Sequence, residues 1–218
     1  MNEPSIEVYW SFRSPYSYLA TPGMVAIKSD YAVDLRFRPV LPIAVRSPDF
    51  FNPENLKRGR YIMQDWPRQA RFLGLSDQWP SPDPIVQDMK TFKIAPDQPY
   101  IYRLTHLGIE AQRRGRGIEF AAEVSALLFS GVRGWDQDSH LTDATSRAGL
   151  DLADMEATIA QAGDSHAQEV EANHEALAAA GHWGVPTFVF DGQPYFGQDR
   201  IATLRWQLDN AGLNKPAS

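Results

Sequence analysis

The chain has 218 residues, room for one domain or one domain carrying a large insertion. Hydrophobic residues make up 43%, which excludes wholesale disorder, and 21 basic against 27 acidic side chains give a net charge of −6, which argues against a nucleic-acid backbone as the main partner. Cysteine is absent, so disulfides, zinc–thiolate sites, iron–sulfur clusters and a cysteine nucleophile are all excluded.

No run approaches the roughly 18 to 20 apolar residues of a membrane helix. The stretch Met1–Glu7 has neither a basic start nor an apolar signal core, so a cytoplasmic protein with no membrane partner is expected. The residues Ile6–Trp10 are β-branched and aromatic and read as a strand. Ser14-Pro15 then forms a helix start, N-cap serine followed by proline, with the helix running over Tyr16–Ser29. Pro22-Gly23 inside it predicts a kink or an interruption. Val33–Phe37 alternates as a second strand closed by Pro39, so the opening reads β-α-β.

Between about residues 47 and 164 the character changes. Helical spacing recurs over Leu56–Leu73, Tyr100–Arg114, Ile118–Phe129, Leu141–Ala148 and Asp151–Gln161, with proline-rich loops such as Trp79–Pro84 between them. An alanine-rich helix over Ser165–Ala180 ends at Gly181. Strand character returns at Val185–Phe190, Asp191-Gly192 is a strong hairpin signal, Gln193–Phe196 returns, and Asp199 opens a last helix over Ile201–Leu208. This order describes an α/β domain of residues 1–46 and 164–218 split by a helical insertion of residues 47–163.

Two short segments carry candidate chemistry. A hydroxyl at Ser14 lies where the first N–H groups and the dipole of a helix favour an anion, although the same residue serves equally as a plain cap. Pro186 opens a strand, where it has no N–H to give the ladder. If the bond before it is cis, the backbone N–H and carbonyl of Val185 turn towards a ligand. Several other polar clusters suggest no chemistry. His166 and His174, eight apart on one helix with Glu169, Glu171 and Glu175, read as a solvated acidic face rather than a metal site. Arg113–Gly117 reads as a basic helix end. Asp136, Asp138, Ser139 and His140 read as loop and cap residues, since no nucleophile elbow occurs.

The run Tyr9-Trp10-Ser11-Phe12-Arg13-Ser14-Pro15-Tyr16-Ser17-Tyr18-Leu19-Ala20 resembles the N-terminal motif of 2-hydroxychromene-2-carboxylate isomerases and kappa-class glutathione transferases. Trp183–Phe188 and Phe196–Ile201 resemble the C-terminal motifs of that family. The resemblance implies a thioredoxin-like domain of DsbA type with a large all-helical insertion. DsbA-like disulfide oxidoreductases carry Cys-x-x-Cys where this chain has Ser14-Pro15-Tyr16-Ser17, and thiol–disulfide exchange needs a thiolate, so disulfide oxidoreductase activity is excluded.

The resemblance further implies glutathione as cofactor, its sulfur activated by Ser14 and its cysteinyl unit paired with Val185 before Pro186. It places the γ-glutamyl end near Gln198 and Asp199. Asn52 and Arg58, the latter beside Lys57, match an asparagine and a lysine that contact glutathione in the family, although Lys57, Arg58 and Arg60 equally suit a solvated helix start. The expected activity is cis–trans isomerisation by reversible thiolate addition in aromatic catabolism. The expected partners are a small aromatic or conjugated carbonyl substrate and a second copy in a homodimer. A kappa-like transferase forming stable conjugates is the alternative, and a redox-dead binding protein the second. Trp10, Phe12, Tyr61, Trp66 and Trp79 are candidate pocket aromatics, although large aromatics are more often plain core.

Overall fold

The structure, a computed structural model, describes residues 4–47, 56–88 and 93–216. In chain order it contains β1 (Ser5–Trp10), α1 (Pro15–Asp30), β2 (Asp34–Pro39) and α2 (Ile43–Arg46). The helices α3 (Leu56–Phe72), α4 (Pro99–Arg113), α5 (Gly117–Leu128), α6 (His140–Arg147) and α7 (Leu152–Gln161) follow. The chain closes with α8 (Ser165–Ala179), β3 (Thr187–Phe190), β4 (Gln193–Phe196), a 3-10 turn (Gln198–Arg200) and α9 (Ile201–Asn210). The helical block expected between the two strand-bearing ends is therefore present as α3–α7, and the short α2 turn is an addition that no spacing announced.

The four strands form one mixed sheet in the order β2-β1-β3-β4. β1 runs parallel to β2, with Val8 beside Phe37, and antiparallel to β3, with Val8 beside Phe188. Proline occurs in both outer strands, Pro39 and Pro194, where a missing N–H leaves no central ladder bond unmade. The β3–β4 hairpin turns through Asp191 and Gly192, at φ 49° and 72°; two successive positive φ values match the right-handed twist of the strands.

Burial follows the strand period. Ile6, Val8 and Trp10 enter the main core, while Tyr9 faces the other side and packs with Val40 and Leu177 under α8. The core is continuous into the helical block through aromatic contacts, Phe12 meeting Phe37 at 6.2 Å and Phe120 at 5.7 Å between ring centres. Gly117, at the start of α5, lies against Phe37: a Cβ there would come within 2.7 Å of Phe37 Cβ and 2.5 Å of Gln112 Oε1. Gln112 Oε1 accepts the Phe37 N–H at 3.1 Å, so neither atom can withdraw freely. Gly117→Ala is expected to cost about 1–3 kcal/mol by overpacking, measured by urea unfolding.

Pro22-Gly23 does not interrupt α1, which runs unbroken from Pro15 to Asp30. Proline at 22 removes the N–H that would serve the Tyr18 carbonyl, and the buried Thr21 hydroxyl donates to that carbonyl instead, at 2.6 Å. Gly23 answers a packing need: a Cβ there would lie 2.8 Å from Ile201 Cδ1 of α9.

The histidines of α8 are not a solvated face. His166 is buried, with Nε2 3.1 Å from Glu110 of α4. His174 Nε2 accepts the Leu41 N–H at 3.0 Å, and Nδ1 lies 3.2 Å from Glu171. α8 packs over the sheet next to β2, which draws both rings inward. His174, His106 and His182 all have pKa values lowered from the ordinary 6.5, burial being the main cause in each. With the folded pKa depressed, the unfolded chain takes up these protons first. The stability is present above the unfolded value and is lost as pH falls through the folded ones. The Tm is expected to drop between about pH 7 and pH 5, and His174→Gln, which keeps an acceptor for Leu41, should flatten the profile when melting is followed by circular dichroism.

Candidate active site

The Ser14 hydroxyl caps α1. It accepts the Ser17 N–H at 3.2 Å and donates to the Val185 carbonyl at 3.3 Å, joining the start of the first helix to the loop before β3. The Ser14 N–H is taken by the Ser11 carbonyl at 3.0 Å, which turns the chain out of β1. The Val185–Pro186 bond is cis. Among the described residues the N–H groups of Tyr16 and Val185 have no acceptor. Pro186 is buried, and its carbonyl takes the Gly197 N–H at 2.9 Å, tying the cis bond to the end of β4.

These groups open on a cavity of about 540 Å³. Its wall combines Ser14, Tyr16, Val185 and Arg58 with Arg13, Arg46, Arg60, Trp79, Trp183 and Phe196. The described lining contains four arginines and no carboxylate. Arg13 is paired with Asp83, so the positive field on the cavity, which favours anionic ligands over neutral ones, comes from Arg46, Arg58 and Arg60. Arg46 Nε donates to the Leu41 carbonyl at 3.0 Å, and Nη2 donates to the Trp183 carbonyl, so the α2 turn is fastened to the 183–185 loop. Burial lowers the Arg46 pKa. Arg58 lies over the Trp183 ring, 6.0 Å from its centre.

The Tyr16 hydroxyl donates to Asp65 at 2.9 Å, and burial together with this bond pushes its pKa upward, so Tyr16 stays protonated across the physiological range. His182, whose Nδ1 accepts the Gly184 N–H at 2.9 Å, stacks on Phe196 with ring centres 4.0 Å apart. Gly184 lets the ring approach: a Cβ there would fall 2.5 Å from Phe196 Cε2.

Of the residues singled out in the sequence, Ser14, Val185 and Arg58 line one cavity, and Pro186 shapes it from behind. Arg58 rather than Lys57 reaches the wall. Gln198 and Asp199 form the 3-10 turn two and three residues beyond the lining residue Phe196, outside the lining; Asp199 is exposed and pairs with Arg200 at 3.2 Å. Asn52 lies outside the described residues. Trp10, Phe12 and Trp66 are buried core and Tyr61 is exposed, so of the five candidate aromatics only Trp79 lines the cavity. Trp183 and Phe196 were visible only inside the C-terminal motifs. Arg46 carried no signal, because a lone arginine after an apolar turn has no periodicity or motif to mark it.

A family model described as a DSBA-like thioredoxin domain matches residues 5–209. Comparison with curated proteins gives no match. Among solved structures, a 2-hydroxychromene-2-carboxylate isomerase is 20% identical, with 95% of each chain covered and a TM-score of 0.64. A probable DsbA oxidoreductase from Streptomyces coelicolor is 19% identical over 99% of this chain and 93% of its own, with a TM-score of 0.61. The cytosolic disulfide reductase DsbM from Pseudomonas aeruginosa, solved with GSH, is 19% identical over 94% of this chain and 99% of its own, TM-score 0.57. These likenesses show the thioredoxin-like fold with its helical insertion. With the family model spanning nearly the whole length, this cysteine-free chain belongs to the DsbA-like thioredoxin family.

Proposed function

We propose that the protein is a glutathione-dependent enzyme that isomerises a conjugated carbonyl compound by reversible addition of a thiolate. The observation that carries this reading is the meeting of Ser14 and the backbone of Val185 on one arginine-lined cavity, in a chain without cysteine. A free thiol with pKa near 8.5 is only a few per cent thiolate at pH 7, so the catalytic need is to favour its anion. When bound, glutathione supplies that sulfur nucleophile.

The chain's own residues do the rest. Ser14 turns its hydroxyl proton from the Val185 carbonyl to the anion, while the open N–H of Tyr16 and the positive end of α1 add to the field. The open Val185 N–H, and its carbonyl once Ser14 has turned away, can pair with a peptide backbone in the manner of strand addition. Arg58 and Arg60 suit a carboxylate bound in fork geometry. The reductase neighbour solved with GSH supports the choice of this tripeptide, and the isomerase neighbour the choice of reaction.

The test is a pH titration of the protein with glutathione, followed through the ultraviolet band of the thiolate. A bound-thiol pKa about one to two units below 8.5 is expected. Absence of binding at millimolar glutathione would overturn the proposal and leave a binding protein without thiol chemistry. Steady accumulation of a conjugate, instead of a geometric isomer, would turn it into a transferase.

A further inference from the structure

Arg13 directly precedes Ser14 and shares the lining of the cavity with it. Its guanidinium forks onto Asp83, Nε to Oδ1 at 2.8 Å and Nη2 to Oδ2 at 2.9 Å. Asp83 also accepts Trp79 Nε1 at 3.1 Å and the Ile85 N–H at 3.0 Å, so four donors hold this carboxylate in place. The guanidinium lies over the Trp79 ring, 5.3 Å from its centre, and Trp79 leans on buried Trp66 with ring centres 5.8 Å apart. Trp135 Nε1 donates to the Pro82 carbonyl at 2.7 Å and fastens the same loop from behind.

The result is a rigid cation with its terminal Nη1 group making no hydrogen bond among the described residues, set against an indole face that lines the same cavity. The other lining arginines differ. Arg46 spends its fork on two backbone carbonyls, Arg58 lies over the Trp183 ring, and Arg60 is exposed. Because Asp83 neutralises Arg13, the pair adds little net field at the sulfur. What it offers is a directional N–H donor for an oxygen that carries charge, plus a flat surface for a conjugated ring.

We propose that Arg13, clamped by Asp83 and seated on Trp79, is the subsite that binds the charged oxygen of a planar conjugated oxyanion, the second ligand of the cavity. The proposal rests on the function proposed above only for its catalytic use. Addition of a thiolate to the β-carbon of an enone forms a C–S bond and moves the π pair onto the carbonyl oxygen. Elimination returns that pair to the carbon framework and breaks the C–S bond. Arg13 donates to that oxygen while it holds the charge, as preorganised donors do at oxyanion holes.

The experiment needs no glutathione. Binding of 4-nitrophenolate, whose visible band reports its ionisation and surroundings, is compared with that of 4-nitroanisole, its neutral isostere. The protein is expected to favour the phenolate, and Arg13→Gln to weaken it about 10- to 100-fold while leaving the anisole unchanged. Arg13→Lys, which keeps the charge but not the planar fork, should recover little of the lost preference. Equal binding of the two probes, failure of the wild-type protein to bind either, or a phenolate preference that survives Arg13→Gln would each overturn the assignment. A variant damaged in folding loses both probes together, and that pattern assigns Arg13 a structural role and counts against the proposal. The thiolate titration on the same variants reports on the function proposed above separately, because loss of the thiolate band leaves the phenolate comparison intact.

Discussion

Ser14→Ala is expected to raise the pKa of the bound thiol by about one to two units, the equivalent of one hydrogen bond to a charged group at roughly 1.5–3 kcal/mol. At neutral pH this cuts the thiolate fraction, and turnover with it, by about 3- to 25-fold. Glutathione affinity should change far less, because the Val185 backbone and the arginines are untouched. The same substitution removes the acceptor of the Ser17 N–H, so a stability loss of about 1 kcal/mol accompanies it. Ser14→Thr keeps both the hydroxyl and the cap and should restore the thiolate band. An unshifted thiol pKa in Ser14→Ala would remove this residue from the chemistry.

The largest stability effect is expected at Glu110, far from the cavity. This buried carboxylate accepts Arg114 Nε at 2.7 Å and faces His166 Nε2 at 3.1 Å, and Arg114 also reaches Asp154 of α7. Glu110 thus joins α4 to α8 directly, and Arg114 carries the link on to α7. Glu110→Ala takes the partner from buried His166 and one of the two carboxylates that Arg114 meets, at a cost of about 3–5 kcal/mol for breaking a buried pair. Against a total of roughly 5–15 kcal/mol for a domain, that is a large share, readable as a lowered midpoint in urea. Glu110→Gln keeps one carbonyl for Arg114 and should cost less. A loss below about 1 kcal/mol for Glu110→Ala would mean that solvent replaces the carboxylate easily.

Elements with a local cause were legible in the sequence. Ser14-Pro15 sets the start of α1 within a residue, and Asp191-Gly192 sets the hairpin, because cap and turn chemistry act over a few atoms. Misreadings arose where a distant partner decides. Proline at 22 looked like a break because the compensating bond comes from the Thr21 side chain and the reason for Gly23 is Ile201, far along the chain. The α8 histidines looked solvated because their environment is supplied by Glu110 and Leu41. The site divides in the same way: Ser14 and Val185-Pro186 stand in motifs, whereas Arg13 acquires its setting from Asp83, and nothing near either residue in the chain announces the pairing.

The sheet order bears on how the chain is made. β1 is synthesised before its neighbours and can pair with β2 once α1 has formed, but its other edge waits for β3, which follows only after the whole helical block. Until then an apolar strand bearing Ile6, Val8 and Trp10 has one row of unpaired backbone groups exposed, the kind of edge that recruits strands from other chains. Synthesis stalled or truncated before Thr187 should therefore yield a species prone to aggregation and held by chaperones, whereas the finished chain closes its own edge with β3 and caps it with the proline-bearing β4.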